Sequence, residues 1–225
     1  MIENEHLTRQ ISLIPMETLD VPVTIIGAGA IGSFAALSLA KMGVTNITVY
    51  DFDDVSIENM NNQFYRMKDI GTLKVLALRS LVAEFTGVQI IPKIRAFEPE
   101  DMAGLSGIVI SAVDSMSARR MIFEATHDKF NNVKYIIDPR MSAEFFTQYC
   151  INPHVLKDRM TYEKNLFSDE DAIPTPCTAK STIYTATLAA GIVVKTIKNI
   201  ILNEAYPRQT HWDIKLVENT LTMYT

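Results

Sequence analysis

Residues 21–51 read VPVTIIGAGAIGSFAALSLAKMGVTNITVYD. Val21–Ile26 is a β-branched run that stops at Gly27, and Ala30–Met42 then spaces its apolar residues for a helix that Gly43 closes as a C-terminal cap. Asn46–Tyr50 is a second strand with Ile47 and Val49 on one face, and its end delivers Asp51 to the carboxyl edge of the sheet. Strand, glycine turn, helix and strand make one βαβ unit.

The turn itself, Gly27-Ala28-Gly29-Ala30-Ile31-Gly32, has the form G-x-G-x-x-G at the mouth of a helix, where backbone N–H groups and the helix dipole favour phosphate. Gly27 permits the tight turn, Gly29 lets a phosphate approach the backbone, and Gly32 lets helix pack on strand. Asp51 lies 19 residues past Gly32 (51 − 32), where a ribose-binding acid belongs. This pattern points to a nucleotide without saying which one, because a nicotinamide-dependent dehydrogenase opens the same way.

Outward from the turn the alternation continues. Gly71–Phe85 reads as a helix, Gln89–Ile94 as a strand, Gly107–Ala112 as a strand, Ser117–Thr126 as a helix and Tyr135–Asp138 as a short strand. The expected class is therefore α/β: a Rossmann-like, doubly wound, mostly parallel sheet with helices on both faces. Ala143–Ile151 is extended, and Asn152–Thr178 is polar, Pro-containing and irregular, a loop region on the substrate side. Ser181–Leu202 is the longest helix, and His211–Met223 forms a closing hairpin through Glu218-Asn219, which adds a C-terminal antiparallel extension. One domain over residues 1–225 accounts for the length.

Composition narrows the partners. A formal charge of −5 argues against a phosphate backbone as main partner, so no nucleic acid is expected. The polar, Glu-bearing stretch Met1–Gln10 lacks the regions of a signal peptide, and Ile183–Val194 falls short of a membrane span. A cytoplasmic protein without membrane contact follows as an expectation. Cys150 and Cys177 are too few for a disulfide framework or a structural zinc site, and His6, His127, His154 and His211 show no metal spacing.

The segment after Asp51 separates the nucleotide classes. It runs Asp51-Phe52-Asp53-Asp54-Val55-Ser56-Ile57-Glu58-Asn59-Met60-Asn61-Asn62-Gln63, with Gly71-Thr72-Leu73-Lys74 following. It resembles the signature of the ubiquitin-activating-enzyme-like (ThiF/MoeB/HesA) adenylyltransferase family, D-x-D-x-V-x-x-x-N-x-x-R-Q followed by G-x-x-K. His6-Leu7-Thr8-Arg9-Gln10 is similar to that family's N-terminal element, Ala112-Val113-Asp114 to its later acid, and Cys177-Thr178-Ala179 to its cysteine-containing crossover.

The resemblance implies ATP- and Mg²⁺-dependent adenylylation of a carboxylate, carried by a ubiquitin-like or sulfur-carrier protein or by a peptide. It implies that Lys74 holds the phosphates, Asp114 binds Mg²⁺, and Asn59 and Gln63 donate to phosphate oxygens. Asp51 then takes the ribose, with Gly27, Gly29, Gly32, Asp53 and Asn62 completing the nucleotide site. Arg9 is implied as an arginine finger supplied across a homodimer. Such a pocket needs cations, since carboxylate attack on the α-phosphate brings two anions together.

Asn62 stands where the family has Arg, and Arg66 or Arg140 could supply the missing charge. Two other readings stay open: an NAD(P)-dependent oxidoreductase, and a non-catalytic nucleotide-binding partner subunit of an adenylylating complex. At single residues, Asp114 could instead cap the helix near Ser117. Cys177 is expected to be dispensable for adenylate formation and at most a second-step nucleophile, with a buried thiol as the competing reading.

Overall fold

β-branched runs at Val23–Ile26 (β1) and Ile47–Tyr50 (β2) flank a helix at Ala30–Met42 (α1), and the alternation then runs on along the chain. Next come Lys74–Thr86 (α2), Ile91–Lys93 (β3), Ser106–Ser111 (β4), Met116–Ala125 (α3) and Asn132–Ser142 (β5). Phe145–Ile151 (β6), Leu156–Glu163 (α4), Ile183–Ile201 (α5), Gln209–Asp213 (β7) and Glu218–Thr222 (β8) complete it. This is a computed structural model, and it describes residues 7–127, 131–168 and 181–223.

The eight strands form one sheet in the order β3-β2-β1-β4-β5-β6-β7-β8. β1 pairs in parallel with β2 on one side and β4 on the other, so the order reverses at β1 and a crevice opens at the carboxyl ends of β1 and β4. β2–β3 and β4–β5 are also parallel, whereas β5–β6, β6–β7 and β7–β8 are antiparallel. The Rossmann-like α/β class and the antiparallel extension are both present.

Because strand side chains alternate, each strand feeds two cores. Val23, Ile25, Ile108, Ile110 and Ile137 join α1, α2 and α5 in one, while Ile26, Val109 and Ile136 join Ile122, Phe123 and Tyr162 in the other. Helices therefore cover both faces. Gly43 caps α1 at φ 107°, in the left-handed conformation the sequence anticipates.

Three details differ from the sequence reading. α4 lies inside the stretch read as irregular, because its buried residues are Asp158 and Tyr162 and so give no apolar stripe. The hairpin turn sits at 214–217, not at Glu218-Asn219, with Val217 forced to φ 57° and the Leu216 N–H donating to Asp213 Oδ1 at 3.1 Å. β5 runs on to Ser142 because it pairs with β6 from Ile136–Ile151 to Ser142–Phe145. No helix among the described residues is long and apolar enough to cross a membrane.

Candidate nucleotide-binding site

The glycine turn is shaped by close backbone contacts. Gly27 has φ 98° and donates its N–H to Tyr50 O at 2.8 Å; a Cβ there would meet Ala112 O at 2.5 Å. At Gly32 a Cβ would lie 1.9 Å from Gly27 O, so the helix start can approach the turn only without a side chain. Gly29 is different: a Cβ would find nothing within 4 Å among the described residues, which leaves space over the turn at the first residues of α1.

Asp51, just past β2, is held against this turn by two backbone donors. The Ala28 N–H donates to Oδ2 at 2.7 Å and the Asp53 N–H to Oδ1 at 2.8 Å. Each carboxylate oxygen keeps a second lone pair for a hydroxyl. From the other side the Tyr65 hydroxyl donates to Ala28 O at 2.6 Å, and burial, reinforced by the charge on Asp51, pushes that phenol well above its usual pKa. The Phe64 N–H donates to Ser33 Oγ at 3.0 Å, so residues 64–65 clamp the turn onto α1.

Lys74 is the first residue of α2, where the helix dipole disfavours a cation, and it is only 7% exposed. Its Nζ pairs with Asp53 Oδ2 at 2.7 Å, and its N–H donates to Asp53 O at 2.9 Å. A buried ammonium placed against the dipole and held by one half-exposed carboxylate is poised to exchange that partner for another anion.

Asn59 closes a short 3₁₀ turn, its Oδ1 accepting from the Ser56 N–H at 2.9 Å. Asn62 donates through Nδ2 to Ser181 Oγ just ahead of α5. Asn62 Oδ1 and Gln63 Oε1 are buried with no hydrogen-bond partner among the described residues, the kind of orphan a ligand resolves.

Asp114 is exposed on the turn between β4 and α3. It does not cap α3; Ser115 does, its Oγ accepting from the Ala118 N–H at 3.2 Å. Among the described residues no group of three His, Cys, Asp or Glu could hold a metal ion. A divalent cation at Asp114 therefore fits only where phosphate oxygens and water supply its remaining ligands, as they do for Mg²⁺.

Neither arginine considered as a substitute for the family arginine is available. Arg66 pairs with Asp69 at 2.9 Å and also with Glu84. Arg140 donates from Nε to Asp138 Oδ2 at 2.8 Å and from Nη1 to Asn165 O at 2.8 Å, and it stacks over Tyr149 at 4.6 Å. Burial pulls the Arg140 guanidinium down, but the charge and hydrogen bond of Asp138 together with Tyr162 and Tyr149 raise its pKa on balance. Arg9 is exposed in the segment ahead of β1, and Cys177 lies outside the described residues.

A cluster the sequence does not reveal sits beside the turn: Arg119 and Asp138, both buried, with the Tyr162 hydroxyl donating to Asp138 Oδ2 at 2.7 Å. No periodic pattern marks a charged residue on the inner face of α3.

The sequence profile of the ThiF family matches residues 16–224. The chain belongs to the ThiF family. Within it, this chain is 39% identical over 107 residues to the NEDD8-activating enzyme E1 catalytic subunit of Dictyostelium discoideum, a match covering 46% of this chain and 24% of that protein. The chain thus spans about a quarter of that relative's length.

Among solved structures, PaaA superposes with a TM-score of 0.77 at 20% identity, covering 99% of this chain and 73% of that one. Escherichia coli MccB crystallised with ATP gives 0.74 at 12% identity, covering 98% and 71%. These two likenesses establish the shared fold.

Proposed function

We propose that this ThiF-family chain catalyses ATP- and Mg²⁺-dependent adenylylation of a carboxylate, the C-terminus of a ubiquitin-like or sulfur-carrier protein or of a peptide, releasing pyrophosphate. The observation that carries it is the glycine turn at the end of β1, whose Ala28 N–H holds Asp51, with the buried Lys74 ammonium paired to Asp53 two residues further on. Support also comes from what its relatives are: one is a NEDD8-activating subunit, and MccB of the same fold was crystallised with ATP.

In this reading Gly27, Gly29 and Gly32 bring backbone N–H groups to the phosphates while Asp51 accepts from the ribose hydroxyls. Lys74 leaves Asp53 for the phosphates, and Asn59, Asn62 and Gln63 line the phosphate end. Asp114 supplies the protein carboxylate for Mg²⁺, whose charge would offset that of the phosphates. Arg9 of a second copy completes the cations, which makes the working form a homodimer. Cys177 takes no part in forming the adenylate.

The test is ATP–pyrophosphate exchange with a panel of carboxylate-bearing proteins and peptides, alongside thermal shifts with ATP–Mg²⁺ and with NAD(P). Ligand at about 100 times its dissociation constant should stabilise by about 2.7 kcal/mol. Dinucleotide preference, or neither binding nor exchange, defeats the proposal. A second reading, a non-catalytic subunit of an adenylylating pair, is favoured by Asn62 in place of Arg with Arg66 and Arg140 already paired. ATP binding with exchange restored only by a second protein would select it.

A further inference from the structure

We infer that Asp138, acting through Arg119, is the positioning residue that fixes the β4–α3 turn and thereby aims Asp114; only the use made of Asp114 rests on the adenylylation reading. Asp138 is fully buried, and its carboxylate is met from three elements: by Arg119 of α3, by Arg140 of β5 and by the Tyr162 hydroxyl of α4 at 2.7 Å.

Arg119 is 6% exposed, and its guanidinium spans the turn. Nη1 donates to Ser111 O at 3.2 Å and to Pro139 O at 3.3 Å, and Nη2 donates to Val113 O. Ser111 ends β4 and Val113 immediately precedes Asp114, so one rigid fork ties the backbone on both sides of Ala112. Between them the Ala112 N–H donates to Ile26 O at 2.8 Å, and its carbonyl borders Gly27. The turn bearing Asp114 is thus locked to the glycine turn on one side and to Asp138 on the other.

Two guanidiniums share one carboxylate here, so the cluster holds one more cation than anion. Buried ion pairs seldom stabilise more than an apolar replacement would, but they are intolerant of losing a partner and they fix geometry. Lysine could keep the charge of Arg119 but its three N–H donors could not serve three carbonyls and a carboxylate at once. The arrangement therefore argues for position rather than for stability.

Amide hydrogen exchange on the nucleotide-free full chain tests the first step. Arg119→Lys should speed exchange across residues 112–115 while β1 and α1 amides keep wild-type rates, and Asp138→Asn, which also lowers global stability, should speed 112–115 by a larger factor than it speeds those amides. The second step is read as Mn²⁺ affinity in the presence of a non-hydrolysable ATP analogue. Both variants should weaken it about 10-fold, the usual size for losing a residue that orients a metal ligand, with metal-free nucleotide affinity unchanged.

Should Asp138→Asn fail to fold, Arg119→Lys, which retains the ion pair, carries the test alone. Wild-type exchange at 112–115 in a folded Arg119→Lys protein overturns the inference. A wild-type chain that binds no Mn²⁺–nucleotide defeats the proposed function instead, and the exchange result still decides the positioning role.

Discussion

Around β1 and β2 the candidate site is made of backbone, whereas around β5 and α4 it is made of buried charge. In the first region the contacts that matter are a left-handed glycine, two N–H groups on Asp51 and a helix start that tolerates no Cβ. In the second, Arg119, Arg140 and Tyr162 converge on Asp138 from α3, β5 and α4. The first kind of site is written in residues a few positions apart; the second is assembled across the fold, and only folding brings its members together.

Removing the shared carboxylate should give the largest effect. Asp138→Ala leaves two guanidiniums buried without an anion, and breaking such a pair typically costs about 3–5 kcal/mol. Urea denaturation of Asp138→Ala beside Asp51→Ala would measure the contrast, since among the described residues Asp51 holds two backbone donors in a part-buried setting and its loss should cost about 1–3 kcal/mol. Equal losses would mean that water already solvates the Asp138 cluster, and the distinction between the two regions would fail.

The same contrast explains what was legible in the sequence. Val21–Asp51 announces strand, turn, helix and strand because apolar spacing and glycines act locally. The candidate nucleotide residues rest on spacing and family resemblance together, and the structure gathers Gly27, Gly29, Gly32 and Asp51 at one edge with Lys74 beside Asp53. α4 escaped notice because its inward residues are Asp158 and Tyr162 while Leu156 and Met160 are 67% and 53% exposed, the reverse of an apolar stripe. Arg119 escaped because a buried arginine is exceptional, and its partner Asp138 lies 19 residues away on another element. The cap on α3 was ambiguous between adjacent polar residues, Asp114 and Ser115, and only geometry separates them.

Within the backbone-built region, Gly32→Ala should rank next. Its Cβ would lie 1.9 Å from Gly27 O, a backbone atom that cannot rotate aside, so α1 must shift off the turn. Overpacking of this kind costs about 1–3 kcal/mol, and because the shift opens the turn, ATP affinity should fall with it. Denaturation midpoints and ATP titration on the same variant check the coupling. Stability lost without any change in ATP affinity would show that the turn does not face the nucleotide.

Gly29→Ala should be the smallest perturbation of the fold and the sharpest probe of the site. Gly29 has φ −79°, outside the left-handed region, and the added methyl would meet no atom of the described residues within 4 Å. No described residue therefore resists it, and stability should stay within about 0.5 kcal/mol of wild type, the range for substitutions that disturb no contact. If the open space over the turn is where phosphate approaches the backbone, the methyl occupies it and weakens ATP binding while the thermal midpoint stays put. Asp51 and Lys74 are untouched by the change, so any loss of affinity reports on the turn alone. Isothermal titration with ATP, paired with a melting curve of the unliganded protein, separates the two quantities. Unchanged affinity would place the phosphates elsewhere and leave the glycine turn a packing device, with Gly27 and Gly32 explained by Ala112 O and the helix start alone.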